Sequence, residues 1–367
     1  MTKARPMVAG QTIMATSKTV RGEFWMRADR AGEIENLFGY LLAHYSRKHK
    51  IYMHSMTVMS NHYHNIFTDL EGNASLFKQD FNAAIARHIK SRFGLGKGSI
   101  IQKDDLHLMV LLDQTIYEDK HIYTITNPVC ANIVARYEDY KHLVIDHRHW
   151  NQPRTFTRPF WFSKYQWPHA SLTLTPVPPS FFQDNTDSQN LAHFNTLVDQ
   201  AHTEYDDLRT TPVRGMESTF DIPRNYSPDA HLYIPCDDPI ALAPSHSEQP
   251  TIQPEPEPTP IPEHFRFYRV SGEDRGKPDF CTTDPILHSN FESRLTSWDV
   301  HYAESKAEFP DDHDICFPPG TNKLARLGVT VEPLTDDDWL NPSFYGNCFV
   351  PPFVLEVDDV APFVDDG

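Results

Sequence analysis

The sequence predicts an α+β domain over residues 1–150, in which helices cover one antiparallel sheet. Two observations support this fold class. Segments with the pattern of strands alternate with segments of helical periodicity, and two strand-like segments are adjacent in the middle of the series. The predicted order of elements is therefore β-α-β-β-α-β-α.

The first half of this series contains a strand, a helix and a strand-rich segment. Residues 7–17 have the pattern of a strand. Residues 51–67 are rich in β-branched and aromatic side chains and lack Gly and Pro, which predicts two strands or one long bent strand. Between them, apolar side chains recur three and four residues apart and predict a helix with one apolar face: Ile34, Leu37, Phe38, Leu41, Leu42 and Tyr45.

The second half contains two further helices around a short strand. A helix is predicted to start near Asn73 and to end at Gly94 and Gly96. Residues 106–112 form an apolar strand, and residues 114–126 form a helix that Pro128 should end or kink, because proline has no backbone N–H. One sheet covered by helices, of the ferredoxin-like kind, accommodates this order. The predicted buried stripe of the second helix is Phe77, Phe81, Ala84, Ile85 and Ile89.

A weaker pattern after residue 150 predicts an extension in three parts. Residues 151–247 contain a predicted strand at 170–175 and a predicted helix at 188–208. In residues 248–263 proline alternates with Glu and Thr, which favours an extended Pro-rich linker. Residues 264–367 form an acidic C-terminal module.

The net charge of −17 is distributed unevenly along the 367 residues. Residues 1–150 contain 19 Lys and Arg against 15 Asp and Glu, whereas residues 151–367 contain 14 against 35. A polyanion is therefore expected to meet the N-terminal part. Five widely spaced cysteines without a CxxC pair fit a reducing cytoplasm. Without an apolar run of membrane-spanning length, we expect a soluble, cytoplasmic protein with no membrane partner.

The segment MSNHYHNIF contains a His-x-His triplet, His62-Tyr63-His64. Residues two apart on a strand share a face, so both imidazoles can bind one divalent cation while Tyr63 packs in the core and the histidines face outward. With 20 histidines, about one such triplet is expected by chance. A second triplet, His147-Arg148-His149, has no strand around it and is predicted to be a pair of surface histidines in a loop.

A second segment, YTITNPVCANIV (123–134), strengthens the first triplet as a candidate site. Tyr123 and Asn127 are four residues apart and therefore neighbours on one helical face, where a phenol and an amide oxygen can approach one ion. Two histidines and a polar oxygen suit Mg²⁺ or Mn²⁺ in phosphate chemistry. Tyr117 is a competing nucleophile, although it lies on another helical face from Asn127.

MSNHYH followed about sixty residues later by YxxxNPV resembles the REP-associated tyrosine transposases of the single-tyrosine HUH superfamily. The resemblance covers about residues 7–145, so residues 1–150 would form an HUH domain. It implies that His62, His64 and Asn127 bind the metal and that Tyr123 attacks a DNA phosphate and becomes linked to the 5′ phosphate. Cys130 stands where many relatives have arginine in NPVRA.

The expected function is a metal-dependent endonuclease and transposase that nicks and rejoins single-stranded or hairpin DNA. Two alternatives stay open: a hairpin-DNA-binding regulator that does not cleave, and a metal phosphoesterase that uses water. A homodimer also stays open, and the acidic tail would contact a basic partner, the chain's own DNA groove, or only solvent. Basic residues near helix ends are candidates for the DNA backbone or for complementing helix dipoles: Arg47, Lys48, Lys50, Arg87, Lys90, Arg92 and Lys97.

Overall fold

The computed structural model describes residues 6–102, 107–228, 280–309, 315–321 and 329–333. Within them the strands are β1 (Gln11–Lys18), β2 (Ile51–Val58), β3 (His62–Asp69), β4 (His107–Leu111), β5 (Val144–Ile145), β6 (Arg154–Thr157), β7 (Ser171–Leu174) and β8 (Phe280–Cys281). The helices are α1 (Glu33–Lys48), α2 (Ala74–Phe93), α3 (Gln114–Cys130), α4 (Asp187–Leu208), α5 (Met216–Asp221) and α6 (Pro285–Glu308).

Six strands form the central sheet in the order β5-β2-β3-β1-β4-β8. The first five pair with antiparallel neighbours, and β8 pairs in parallel with β4 at the edge. The predicted α+β class and the order β-α-β-β-α-β-α are confirmed. The strand-rich segment 51–67 forms two strands, β2 and β3, that pair with each other.

Apolar side chains lie on both faces of this sheet. Tyr63 and Phe67 of β3 belong to the core under α1 and α2, whereas Ile66 belongs to the core under α3 and α4. Because side chains alternate along a strand, His62 and His64 share the face of Ile66. The expectation that these histidines face outward is therefore wrong: α3 covers them, and His64 is only 6% exposed.

The helix α3 begins at a side-chain cap and passes through Pro128. The carboxylate of Asp113 accepts a hydrogen bond of 2.8 Å from the backbone N–H of Ile116. The helix continues to Cys130, so of the two predicted effects of Pro128, an end or a kink, the end is not observed. Since Pro128 lies in the last turn, its missing N–H removes only one hydrogen bond.

The predicted helix 188–208 is confirmed as α4, which packs on α3. Its buried side chains share one core with α3 and the central sheet, so residues on both sides of residue 150 contribute to that core. Tyr205 of α4 lies in this core near the end of α3. The buried residues of α4 in this interface are Phe194, Val198, Ala201 and Tyr205.

The strand predicted at 170–175 is β7, and it pairs with a strand that the sequence analysis did not predict, β6. This hairpin packs on α1. The ring of Phe156 lies directly against the helix at Gly39, where a side chain would collide with it. The hairpin therefore covers the outer surface of α1.

Part of the predicted C-terminal organisation, including the linker 248–263, lies outside the described residues. Within the described part, α6 is a long helix that was not predicted. The indole of Trp298 in α6 donates a hydrogen bond of 2.8 Å to the carbonyl of Pro319, which lies in the described segment 315–321. None of the helices in the described ranges is both long and apolar enough to cross a membrane.

Two buried histidines predict that the fold loses stability in mild acid. His54 donates to the carbonyl of Val177 at 2.7 Å, and His142 donates to the carbonyl of Met26 at 2.9 Å. Burial lowers the pKa of each to about 4. An unfolded histidine titrates near pH 6.5, so the unfolded state binds more protons between pH 6.5 and 4, and the free energy of unfolding falls as the pH is lowered through that window.

We therefore expect a lower melting temperature at pH 5 than at pH 7, measured by circular dichroism. His142→Gln keeps a donor for the Met26 carbonyl but cannot be protonated, so its melting temperature should depend less on pH than that of the wild type. Equal pH dependence in the two proteins would contradict this assignment.

Candidate active site

Strand β3 places His62 and His64 side by side beneath α3. Their ring centroids are 5.0 Å apart. In the register of the sheet, His62 lies opposite Lys18 of β1, and His64 lies opposite Thr16. The alternation of side chains along β3 thus produces the pair predicted from the sequence.

Polar neighbours hold the Nδ1 atom of each histidine. The side-chain oxygen of Asn61 is 2.7 Å from Nδ1 of His62, and the hydroxyl of Thr16 is 2.9 Å from Nδ1 of His64. Burial lowers the pKa of His62 to about 4 and that of His64 well below its usual value. Both rings are therefore neutral at pH 7. Each nitrogen of His62 lies beside an amide oxygen, that of Asn61 at Nδ1 and that of Asn127 at Nε2.

The helix α3 brings Tyr123 and Asn127 to the same place. The Tyr123 ring lies edge-on to His64, with centroids 5.2 Å apart. The side-chain oxygen of Asn127 is 3.3 Å from Nε2 of His62. Burial and the neighbouring Cys130 raise the pKa of Tyr123, while a hydrogen bond from Asn127 acts in the opposite direction. The structure therefore brings all four sequence-predicted residues together.

The contact between His62 and Asn127 fits a divalent cation. Nε2 of His62 and the side-chain oxygen of Asn127 lie within hydrogen-bonding distance of each other, and both atoms are of the kinds that bind divalent cations. Adjacent ligands in an octahedron around Mg²⁺ are about 3 Å apart, close to the 3.3 Å observed. The described residues contain no group of three or more His, Cys, Asp and Glu arranged for a metal. A metal here would depend on the amide oxygen.

Three further residues of this site were not predicted from the sequence. Lys18 is exposed beside His62, and its charge lowers the pKa of both His62 and His64. Thr16 and Asn61 hold the two rings, as described above. No sequence signal identifies Lys18 and Thr16, because the register between β1 and β3 places them in the site. Asn61 directly precedes His62 within the MSNHYH motif, where it could have been noticed.

Three of the predicted DNA-contacting residues lie at the other end of the sheet from His62. The carbonyl of Lys50 accepts a hydrogen bond from the Leu70 N–H, next to Asp69 at the end of β3. Asp69 is seven residues from His62 along the strand, or about 23 Å. Arg47 and Lys48 end α1 beside Lys50.

Two of the seven predicted DNA-contacting residues are already in ion pairs. Lys48 is 3.1 Å from the carboxylate of Asp80, and Arg92 is 2.8 Å from that of Glu33. Lys90 donates to the backbone carbonyl of Gly98. The remaining members at the end of α2 and beyond, Arg87 and Lys97, are exposed.

The competing nucleophile Tyr117 lies in another environment. It is fully buried, and its hydroxyl donates to Nδ1 of His121 at 3.2 Å. Nε2 of His121 is 3.3 Å from Nδ1 of His147, whose other nitrogen is 3.0 Å from the oxygen of Asn195. His147 is only 4% exposed and lies in a 3₁₀ turn, so its prediction as a surface loop histidine is wrong.

Cys130 packs against the core where α4 meets α3. It is partly buried, and Tyr205 of α4 lies within hydrogen-bonding reach of its thiol. Burial raises the pKa of this thiol. The position therefore has a packing role, which suits cysteine better than a charged arginine.

Comparison with known proteins identifies one distant structural likeness. No family model matches the chain, and no curated protein matches it. A solved structure described as a REP-associated tyrosine transposase bound to a REP hairpin is 19% identical in sequence. The match covers 41% of this chain and 85% of that chain, with a TM-score of 0.33. At so low a TM-score, any function has to rest on the chain's own residues.

Proposed function

We propose that the chain is a metal-dependent, single-strand DNA endonuclease and strand transferase of the HUH type, with Tyr123 as nucleophile. One observation carries this proposal: His62, His64, Tyr123 and Asn127 meet on one face of the sheet although two separate elements supply them. The resemblance of MSNHYH and YxxxNPV to REP-associated tyrosine transposases agrees with it. We interpret the strand order β4-β1-β3-β2 as ferredoxin-like.

His62, His64 and Asn127 would hold the ion, and Mg²⁺ or Mn²⁺ bound there would supply a Lewis acid that polarises the scissile phosphate. The raised pKa of Tyr123 keeps its phenol protonated until it reacts. In the reaction, the phenol oxygen bonds to phosphorus, the bond from phosphorus to the 3′ oxygen breaks, and the phenol proton ends on that oxygen. The products are a 5′-phosphotyrosine and a free 3′ hydroxyl, and reversal rejoins the strand.

Lys18 is the cation best placed to bind the DNA backbone beside this site. It is exposed, and it lies directly opposite His62 in the β1–β3 register. Its charge already influences both imidazoles. We propose that the ammonium group of Lys18 binds a phosphate of the bound strand.

Tyr123→Phe should abolish formation of a covalent protein–DNA adduct because it removes the attacking oxygen. The assay incubates labelled single-stranded and hairpin oligonucleotides of randomised sequence with Mn²⁺ and resolves the products on denaturing gels. Tyr117→Phe is the matched control, since it removes a phenol from the same helix away from His62, and it should retain the adduct.

The other outcomes separate the alternatives. An adduct that persists in Tyr123→Phe would overturn the nucleophile. Hairpin binding without an adduct in any protein would support the regulator that does not cleave. Multiple turnover that is indifferent to Tyr123→Phe would support a phosphoesterase that uses water.

Thr16→Val should weaken Mn²⁺ binding about 10- to 100-fold, because it removes the hydroxyl that orients His64. Calorimetry on the protein without DNA measures this affinity. Thr12→Val is the matched control: Thr12 is on the same strand, but its hydroxyl bonds to that of Thr68 at 3.0 Å, away from His64. Equal losses in the two variants would contradict a specific role for Thr16.

Lys18→Gln should reduce the slope of log Kd against log salt concentration by about 0.7 for single-stranded DNA, the value of one lost phosphate contact. Anisotropy titrations at several salt concentrations measure this slope. Lys50→Gln, at the opposite end of the sheet, should leave the slope unchanged. A smaller slope in Lys50→Gln but not in Lys18→Gln would show that the DNA backbone contacts Lys50 rather than Lys18.

A further inference from the structure

The connection between β6 and β7 presents two large aromatic side chains to solvent. Phe160 is 75% exposed and Tyr165 is 93% exposed. Backbone hydrogen bonds close the connection at two places, from the Phe162 N–H to the Pro159 carbonyl at 3.0 Å and from the Trp167 N–H to the Ser163 carbonyl at 2.9 Å. The exposed rings therefore project from an ordered turn.

Buried aromatic residues anchor the same connection to the helices. Phe162 stacks on His88 of α2, with centroids 3.6 Å apart. Trp167 packs edge-on to Tyr40 of α1 at 5.9 Å. Because neighbouring aromatic residues are buried in this way, the exposure of Phe160 and Tyr165 does not reflect a loop that lacks packing. The two rings are therefore held in place and are available to stack against a ligand.

The charge around these rings is basic in an otherwise acidic part of the chain. There is no Asp or Glu between Asp146 and Asp184, whereas residues 151–367 as a whole contain 35. Arg158 and Lys164 lie in the connection itself. The guanidinium of Arg92 is 5.4 Å from the centroid of the Phe160 ring, and it also pairs with the Glu33 carboxylate at 2.8 Å. The exposed Lys164 is therefore the main positive charge of this surface.

The part of this surface formed by Arg92 and Phe160 lies at the same end of the molecule as the candidate active site, whereas Trp167 packs on His44 and Tyr45 towards the other end of α1. The helix α2 starts just after β3 ends and runs back along the sheet for 20 residues, a rise of about 30 Å. The eight residues of β3 span only about 26 Å. The last turn of α2, with Arg92 beside Phe160, therefore reaches the end of the sheet where His62 begins β3, on the opposite face.

We propose that Arg92, Phe160, Trp161, Lys164 and Tyr165, the aromatic-loop surface, bind single-stranded DNA that flanks the strand held at Tyr123. This inference rests on the proposed function, and it adds a second DNA contact outside residues 1–150. Bases stack on the two exposed rings, and the basic side chains contact the phosphates of the DNA backbone. Since every base has an aromatic face, this contact accepts any sequence.

The test compares a DNA hairpin carrying single-stranded flanks of ten nucleotides with the same hairpin without flanks. In the full chain, Phe160→Ala combined with Tyr165→Ala should raise the Kd of the flanked hairpin about tenfold or more, as expected for losing one or two stacked bases. The Kd of the blunt hairpin should not change. Ile286→Ala is the matched control, because this α6 side chain is 74% exposed, and it should affect neither DNA.

The outcomes separate this surface from the cleavage proposal. If the double variant binds the flanked hairpin as tightly as the wild type, or loses affinity equally for both hairpins, the surface is wrong whether or not the wild type forms an adduct. If the wild type forms no adduct but the double variant loses only the flanked hairpin, the surface stands and the cleavage proposal fails. A changed sedimentation coefficient with unchanged DNA affinity would assign the surface to a second copy of the chain.

Discussion

The alternation of side chains along β3 is the constraint on which the rest of the structure depends. It sends Tyr63 and Phe67 into the core under α1 and α2, and it sends His62, His64 and Ile66 into the space under α3. A slip of one residue in the register would exchange these sets and bury the imidazoles among the phenylalanines of α2. The apolar residues of one face thereby determine the position of the polar site on the other.

Covering that second face with α3 sets the chemistry of the site. In a dry environment the charged forms of side chains are disfavoured, so the pKa values of His62 and His64 fall and that of Tyr123 rises. Neutral imidazoles have lone pairs that can bind a metal, and the raised pKa favours the protonated phenol. The same burial makes orientation important, which explains why Thr16 and Asn61 hold the rings at their far nitrogens.

The extension after residue 150 supports the helix that carries Tyr123. Helix α4 packs along α3 through apolar residues, and a directed hydrogen-bond chain joins the two helices. The Asn195 oxygen accepts from Nε2 of His147, so Nδ1 of His147 accepts from Nε2 of His121. Nδ1 of His121 in turn accepts from the hydroxyl of Tyr117. This second group of histidines fixes the position of α3 without contributing to the site at His62.

The β6–β7 hairpin supports the other face of the sheet in a similar way. It packs on α1 where Gly39 leaves room for Phe156. The extension therefore covers helices on both faces and belongs to the structural framework of the first 150 residues. The Pro-rich linker 248–263 that follows this extension lies outside the described residues.

The sequence by itself determined the elements from β1 to α3, together with β7 and α4, and it marked the four candidate residues, because local patterns encode these features. Hydrophobic periodicity located α1, α2 and α4, and the motifs around His62 and Tyr123 marked the two segments that meet. To choose between Tyr123 and Tyr117 as the nucleophile, the sequence offered only the helical face on which each residue lies. It also could not show that His147 is buried. Those outcomes depend on which surface of α3 meets the sheet and which meets α4.

Only the tertiary structure decided the surroundings of the site, since they depend on contacts between distant segments. Strand register put Lys18 and Thr16 opposite the histidines and put Lys50 at the far end of the sheet. His62 and His64 were expected to face outward, but α3 covers them, and both imidazoles are neutral as a result. A local pattern specifies the period of an element and which residues share a face, but what covers that face is set by packing.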